Sequence, residues 1–225
     1  MSSLAWELTF PEKRQSTLGR KKPCVTLSLT SDAGGIERFS IPVSVGRKVQ
    51  SLEREGAFHP DSRAEFIYEL TRIQESLIRS RIETLICRRD YSSYALREKL
   101  RLDGYFSSVV KESVERAVKV GLVDDARYAD SYVRAKVSQG WGAIRIEREL
   151  ERKGLSTSLL EGWPQSYLSV ASQKEKALSL ARRKRLTGKN DYERIVRFLA
   201  SKGYSFELCS SAAKQVLAES AQAKT

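Results

Sequence analysis

A pattern about fifty residues long occurs three times in this chain, and no other feature restricts its fold as much. The segments run from Leu96 to Tyr105, Ile146 to Leu155 and Ile195 to Tyr204. Leu100, Leu150 and Leu199 hold one equivalent position and Gly104, Gly154 and Gly203 another, at offsets of 50 and 49 residues. An apolar residue, a second four later and a glycine four after that describe a short helix closed by a glycine C-cap. An apolar residue follows each glycine, and then comes Ser107, Ser156 or Ser205, each placed to cap a further helix. Val109, Leu159 and Leu208 lie five residues past the glycines, on that helix. A leading helix is expected before each unit, around Ile82 to Arg89, Asp125 to Ser138 and Gln173 to Leu186. The spacing thus predicts three successive three-helix modules. One such unit buries little surface alone, so neighbours should stack into an elongated, curved body.

The first sixty residues read differently. Cys24 to Thr30 and Ile36 to Val45 are rich in β-branched residues and partly alternate, and Ser31 to Gly35 between them has strong turn chemistry. This predicts a β-hairpin with a longer loop, in which Pro42 suits an edge better than a central strand. A short amphipathic helix should follow from Arg47 to Glu55 and close at Gly56. From Asp61 the pattern turns helical, with Asp61 or Ser62 as N-cap and Glu65 as its box-like partner. Phe66, Leu70, Ile73, Leu77, Leu85 and Cys87 keep the helical period only roughly, so a bend or break is expected near Arg79 to Arg81. The expected class is therefore mainly α, tandem three-helix repeats with a small N-terminal extension containing a β-hairpin. Its divisions are 1–60 for the extension, 61–122 for the first repeat with its leading helix, 123–170 for the second and 171–225 for the third.

Charge narrows the partner. Forty Lys and Arg against 28 Asp and Glu give a formal net charge of +12, which favours a polyanion because each neutralised phosphate releases counterions. An acidic membrane surface is the competing partner, but no polybasic amphipathic anchor stands out. No run approaches the ~18 apolar residues of a membrane span, and Met1 to Phe10 does not read as a signal peptide, so a cytoplasmic address is expected. Cys24, Cys87 and Cys209 are too scattered for a disulfide framework or a zinc site and should be buried thiols. His59, the single histidine, falls in an expected loop, which leaves little basis for a catalytic triad or a multi-histidine metal site.

Arg88 to Ser92, then Leu96 to Leu100 and Gly104-Tyr105, resembles the opening module of RecX proteins. Gly121 to Ala129 (GLVDDARYA) resembles their most recognisable stretch and continues through Tyr132 to Arg134, Gly140 to Gly142 and Glu149 to Gly154. The third module, Phe198-Leu199 through Lys202 to Ser205, is similar but weaker. The likeness runs roughly from Ile82 to Leu217, and its motifs are specific only in combination. It departs from the family pattern at Gly162-Trp163-Pro164, where Pro164 should shorten the last helix of the second module. The resemblance implies a non-enzymatic regulator without cofactor or metal. Such a protein binds RecA filaments on single-stranded DNA and dampens ATP hydrolysis and strand exchange, which tunes recombinational repair and the SOS response. Its implied partners are that filament and single-stranded DNA, with double-stranded DNA as a further candidate, and a monomer is expected.

Individual motifs leave two uses open. Asp124-Asp125 could hold Mg²⁺ but lacks further convergent ligands, and an aspartate just before a helix serves as a cap. Tyr128 and Tyr132, four apart, can pack a core or stack on bases. Gly140-Trp141-Gly142 is no phosphate loop, because no strand precedes it, so a tight interhelical turn with Trp141 packed beside it is expected. Between Lys174 and Lys189 seven basic residues face one acidic residue, Glu175. There Ala177, Leu180 and Ala181 should turn inward and the arginines outward. Candidate contacts with DNA or a filament are Arg88, Arg89, Lys99 and Arg101 in the first repeat and Arg145, Arg148, Arg152 and Lys153 in the second. The third repeat offers Arg182, Arg183, Lys184, Arg185 and Lys189. Two competing functions are a stand-alone helical DNA-binding regulator, which would prefer duplex sequences, and a metal-dependent nuclease, which the scarcity of clustered acidic and histidine residues disfavours.

Overall fold

The computed structural model describes residues 4–12, 22–30 and 35–222, in two units, Met1–Asp124 and Asp125–Thr225. The first unit opens with an antiparallel sheet in the order β1 (Ala5–Thr9), β2 (Cys24–Thr30), β3 (Ile36–Pro42). Val25, Leu27 and Leu29 alternate along central β2 and are all buried. Leu27 lies opposite both Leu8 and Phe39, and Val25 opposite Ile41. The β2–β3 pairing is the expected hairpin, although its turn residues 31–34 lie outside the described residues. Strand β1 was not expected. Pro42 ends edge strand β3, a place that tolerates its missing N–H. Helix α1 (Val43–Arg54) starts at once, so Val43 to Val45 are helical rather than extended. The reason lies in Val45 and Val49, one turn apart and both fully buried.

Helix α2 (Arg63–Ile86) carries a capping box: Ser62 Oγ accepts from Glu65 N at 3.2 Å, and Glu65 Oε2 accepts from Asp61 N at 2.9 Å. It runs through Arg79 to Arg81 without the break that the sequence allowed. Its buried stripe is Phe66, Leu70, Ile73, Ile78, Ile82 and Leu85, a better match to the period than the set containing Leu77 and Cys87. The leading helix expected from Ile82 to Arg89 is therefore the last turn of α2. Helices α3 (Ser93–Leu102) and α4 (Ser107–Lys119) follow. Ser107 is the first residue of α4 rather than its cap; Phe106 precedes it, and its N–H donates to buried Gln74 Oε1 at 2.9 Å. Sheet and helices share one apolar core that extends to Val123.

The second unit contains α5 (Asp125–Ser138), α6 (Ala143–Arg152), a single 3₁₀ turn (Thr157–Leu159), α7 (Val170–Arg182), α8 (Asp191–Lys202) and α9 (Phe206–Gln222). One core gathers Ala129, Val133, Ile146, Leu150, Leu160 and Leu168. The other gathers Ala177, Ala181, Ile195, Leu199, Cys209 and Ala213. Where Pro164 was expected to shorten a helix, only the 3₁₀ turn forms. Leu159 is then left exposed rather than packed, while Leu160 and Leu168 plug the core from the irregular chain. Helix α7 ends four residues before Leu186, and its start is set earlier than expected by Ser169, whose Oγ accepts from Ser172 N. The three repeat glycines all adopt left-handed φ, +97° at Gly104, +67° at Gly154 and +91° at Gly203, as their C-cap role requires. Of the three cysteines, all free, Cys209 alone is fully buried and Cys87 is exposed, which corrects the reading of three buried thiols.

Candidate nucleic-acid interface

The basic run of the third repeat leaves the helix before it ends. Arg183 is the C-cap of α7, and Lys184, Arg185 and Lys189 lie in the loop to α8, all exposed. That loop is shaped by Asp191, the first residue of α8. Its carboxylate accepts from the Thr187 and Gly188 amides at 3.0 and 2.7 Å and from Arg194 Nη1 at 3.0 Å. These donors, the Thr187 amide foremost, hold the Asp191 carboxyl below the usual aspartate range. The groove beside it is lined by Lys184, Arg185, Arg194 and Arg197, of which Arg194 shares Asp191 with the loop and Arg197 pairs with Glu193 at 3.8 Å. Arg194 and Arg197 were missed in the sequence reading. Their signal was helical spacing on α8, three residues apart, on a segment not counted as part of the basic run.

Arg182 is diverted. Its guanidinium forms a two-pronged pair with Glu219 at 2.7 and 3.0 Å, tying α7 to α9. Lys184 places its ammonium 3.9 Å from the Phe198 ring centroid, within cation–π reach.

In the second repeat the candidates divide. Arg148 is exposed, and Arg152 pairs with Glu149 at 2.9 Å. Lys153 lies 5.0 Å from the Tyr132 ring and Arg145 3.8 Å from the Trp141 ring. Arg145 also donates to Ser201 O at 3.1 Å, which makes it part of the joint between second and third repeats. The joint itself is built of main chain. Gly142 N donates to Lys202 O at 2.9 Å and Ile144 N to Gly203 O at 3.2 Å. Free amides at the start of α6 thereby meet free carbonyls at the end of α8, and the opposite partial charges of the two helix ends attract. A Cβ on Gly142 would lie 2.3 Å from Gly203 O, so only glycine permits this approach. Tyr204 closes it with a hydroxyl donated to Gly140 O at 3.1 Å. The expected tight turn at Gly140 to Gly142 is thus found, with Trp141 half-buried beside it.

Tyr128 and Tyr132 stack with nearly parallel planes, 7° apart, at a centroid distance of 6.3 Å. Both are half-buried and pack on the second repeat's core. Burial raises the Tyr132 hydroxyl above its ordinary pKa, with the nearby Glu149 charge adding to it. Asp124 immediately precedes α5, where the capping role puts it. Among the described residues no group of three or more His, Cys, Asp or Glu side chains is placed to hold a metal, and no helix is long and apolar enough to cross a membrane.

The remaining candidates belong to the other unit. Arg88 and Arg89 are exposed after α2, with Arg89 lying 4.3 Å over the Tyr91 ring. On α3, Lys99 is half-buried and Arg101 is held by Glu98 at 3.0 Å. His59 is exposed in the segment before α2.

Comparison with known proteins places this architecture. The family model described as RecX, second three-helix domain, matches residues 124–161. The regulatory protein RecX of Vibrio vulnificus is 35% identical over 131 residues, which cover 55% of this chain and 82% of that protein. That of Chromohalobacter salexigens is 33% identical over 140 residues, covering 60% and 89%. A crystal structure of a regulatory protein RecX shares the fold with a TM-score of 0.55 at 18% identity, over 96% of this chain and 98% of that one. RecX from Lactobacillus salivarius gives 0.54 at 21% identity, over 64% and 96%. The chain belongs to the RecX family of regulatory proteins.

Proposed function

We propose that this protein binds RecA filaments on single-stranded DNA and, without catalysing a reaction, restrains their ATP hydrolysis and strand exchange. The observation that carries the reading is the cationic groove of the third repeat, where Lys184 and Arg185 of the loop meet Arg194 and Arg197 of α8, Arg194 paired with Asp191 at 3.0 Å and Arg197 with Glu193 at 3.8 Å. Planar guanidinium forks suit phosphate oxygens. Arg88, Arg89, Lys99 and Arg101 of the first repeat and Arg148, Arg152 and Lys153 of the second extend the candidate contacts, with Arg183 and Lys189 bordering the groove. Arg182 and Arg145 serve the fold first. We take 61–122, 123–170 and 171–225 as the working modules and 1–60 as an extension, in a protein that acts as a monomer in the cytoplasm.

The test is direct. RecA-coated single-stranded DNA is challenged with the protein while ATP hydrolysis and filament length are followed. The expected result is a dose-dependent fall in hydrolysis. Unchanged hydrolysis and length at stoichiometric protein overturn the reading, and tight binding to a particular duplex sequence would replace it with that of a stand-alone DNA-binding regulator.

A further inference from the structure

Four aromatic rings of the second unit share one placement. Tyr128, Tyr132, Trp141 and Phe198 are each half-buried, and each immediately precedes a buried residue: Ala129, Val133, Gly142 and Leu199 respectively. The core positions are thus occupied by the neighbours, and the rings stand on its flank. Each ring but one carries cations. Lys153 and Lys136 lie 5.0 and 5.3 Å from Tyr132. Lys136 and Arg145 lie 4.7 and 3.8 Å from Trp141. Lys184 and Lys202 lie 3.9 and 5.9 Å from Phe198. The exception, Tyr128, stacks on Tyr132 instead.

These contacts form two clusters joined through main chain. The Lys136 ammonium is shared by Tyr132 and Trp141. Trp141 is bonded to Gly142, whose amide donates to the carbonyl of Lys202, and Lys202 shares Phe198 with Lys184. Lys184 also lines the cationic groove. The series thus consists of one cluster on the second repeat, Tyr128, Tyr132 and Trp141 with their cations, and a second beside the groove of the third, Phe198 with Lys184 and Lys202, tied together by the main-chain joint. The carboxylate beside it, Glu149, is held by Arg152.

We infer that this series is a binding track for single-stranded DNA, in which unpaired bases stack on the flanking rings and the interleaved lysines and arginines take the phosphates. Rings alternating with cations are what an unstructured strand requires, because every base has a π face and every nucleotide a charge. A duplex hides its base faces and could use only the cations. The lysines now resting on the rings exchange a cation–π contact for a phosphate ion pair, while Arg145, bonded to Ser201 O, stays in the joint. The inference deepens the filament reading and rests on it, since it names the part of the filament that this unit grips.

The experiment needs no RecA. Fluorescence anisotropy is measured for the full-length protein with a labelled oligo(dT) 20-mer, an abasic strand of the same length and charge, and a duplex. The track predicts binding to oligo(dT) at least tenfold tighter than to the abasic strand at the same salt concentration. Tyr128→Leu with Tyr132→Leu, checked for folding by circular dichroism, should abolish most of that preference while leaving the salt dependence unchanged, because no charge is altered. Equal affinity of the wild-type protein for oligo(dT) and the abasic strand overturns the inference whatever the variants do. Folded leucine variants that keep the full preference overturn it as well. Failure here is distinct from failure of the filament reading: a protein that ignores bases yet suppresses RecA hydrolysis loses the track and keeps the regulator.

Discussion

At the scale of single residues, glycine and aspartate do the exacting work. Gly121 and Gly142 make a controlled comparison. Gly121 adopts φ +75° with nothing within 4 Å of a built Cβ, whereas a Cβ on Gly142 meets Gly203 O at 2.3 Å. Gly121→Ala should cost about 1 kcal/mol, the strain of the left-handed backbone alone. Gly142→Ala should cost about 3 kcal/mol or more, because main chain on both sides must part. Urea unfolding of the two variants reads the difference, and equal costs would contradict the close joint. Asp191 supplies a pH test. Its folded pKa is depressed below the ordinary value of 3.8, chiefly by the Thr187 amide. Its stabilisation of the loop is therefore complete above that value and is lost as pH falls through the lower, folded one. Amide resonances of Thr187 and Gly188 should shift together in that acid range and stay fixed in Asp191→Asn. The repeat glycines were legible from spacing alone, because a left-handed cap has few other tenants. Asp191 was not, since nothing in sequence distinguishes a loop-bracing aspartate from an exposed one.

At the scale of elements, the sequence was most readable where one face of a helix packs on one core. Asp125–Ser138 matches its expected bounds, and Ser62 with Glu65 caps α2 as the pattern implied. The break allowed for in α2 came from following Leu77 and Cys87 when Ile78 and Ile82 carry the buried stripe. Strand β1 was within reach, because Leu4, Trp6, Leu8 and Phe10 alternate, but a five-residue strand has too little pattern to stand out before its partner is known. The second repeat's missing helix is the informative irregularity. Its place is taken by tertiary hydrogen bonds from aromatic side chains, Trp163 Nε1 to Glu147 at 2.9 Å and Tyr167 OH to Asp130 at 2.7 Å. Tyr167→Phe should therefore destabilise the second unit by about 1 kcal/mol in thermal or urea unfolding, the net contribution of one such bond. A cost near zero would mean that Leu160 and Leu168 hold this segment unaided.

At the scale of the whole molecule, charge was legible as a sum and not as an arrangement. A formal +12 pointed to a polyanion, yet Arg182, the first arginine of the basic run, is turned to Glu219, while Arg194 and Arg197 enter the groove from a helix outside that run. Which cations face a partner depends on where α7 stops, and helix ends are the least certain part of any pattern. Binding to single-stranded DNA should weaken linearly on a log–log plot against salt. Arg185→Gln and Arg197→Gln should each lower the slope by about 0.7, the value for one phosphate contact on a single strand. An unchanged slope in the double variant would remove the groove from the interface. The joint between second and third repeats has a different kind of consequence. Its closest contacts are main chain at two glycines, and the Arg145 and Tyr204 side chains add one hydrogen bond each, so its angle is set chiefly by backbone. It works as a weld rather than a pivot, so the second and third repeats present a fixed pitch. A partner with a different pitch must deform to meet these two repeats.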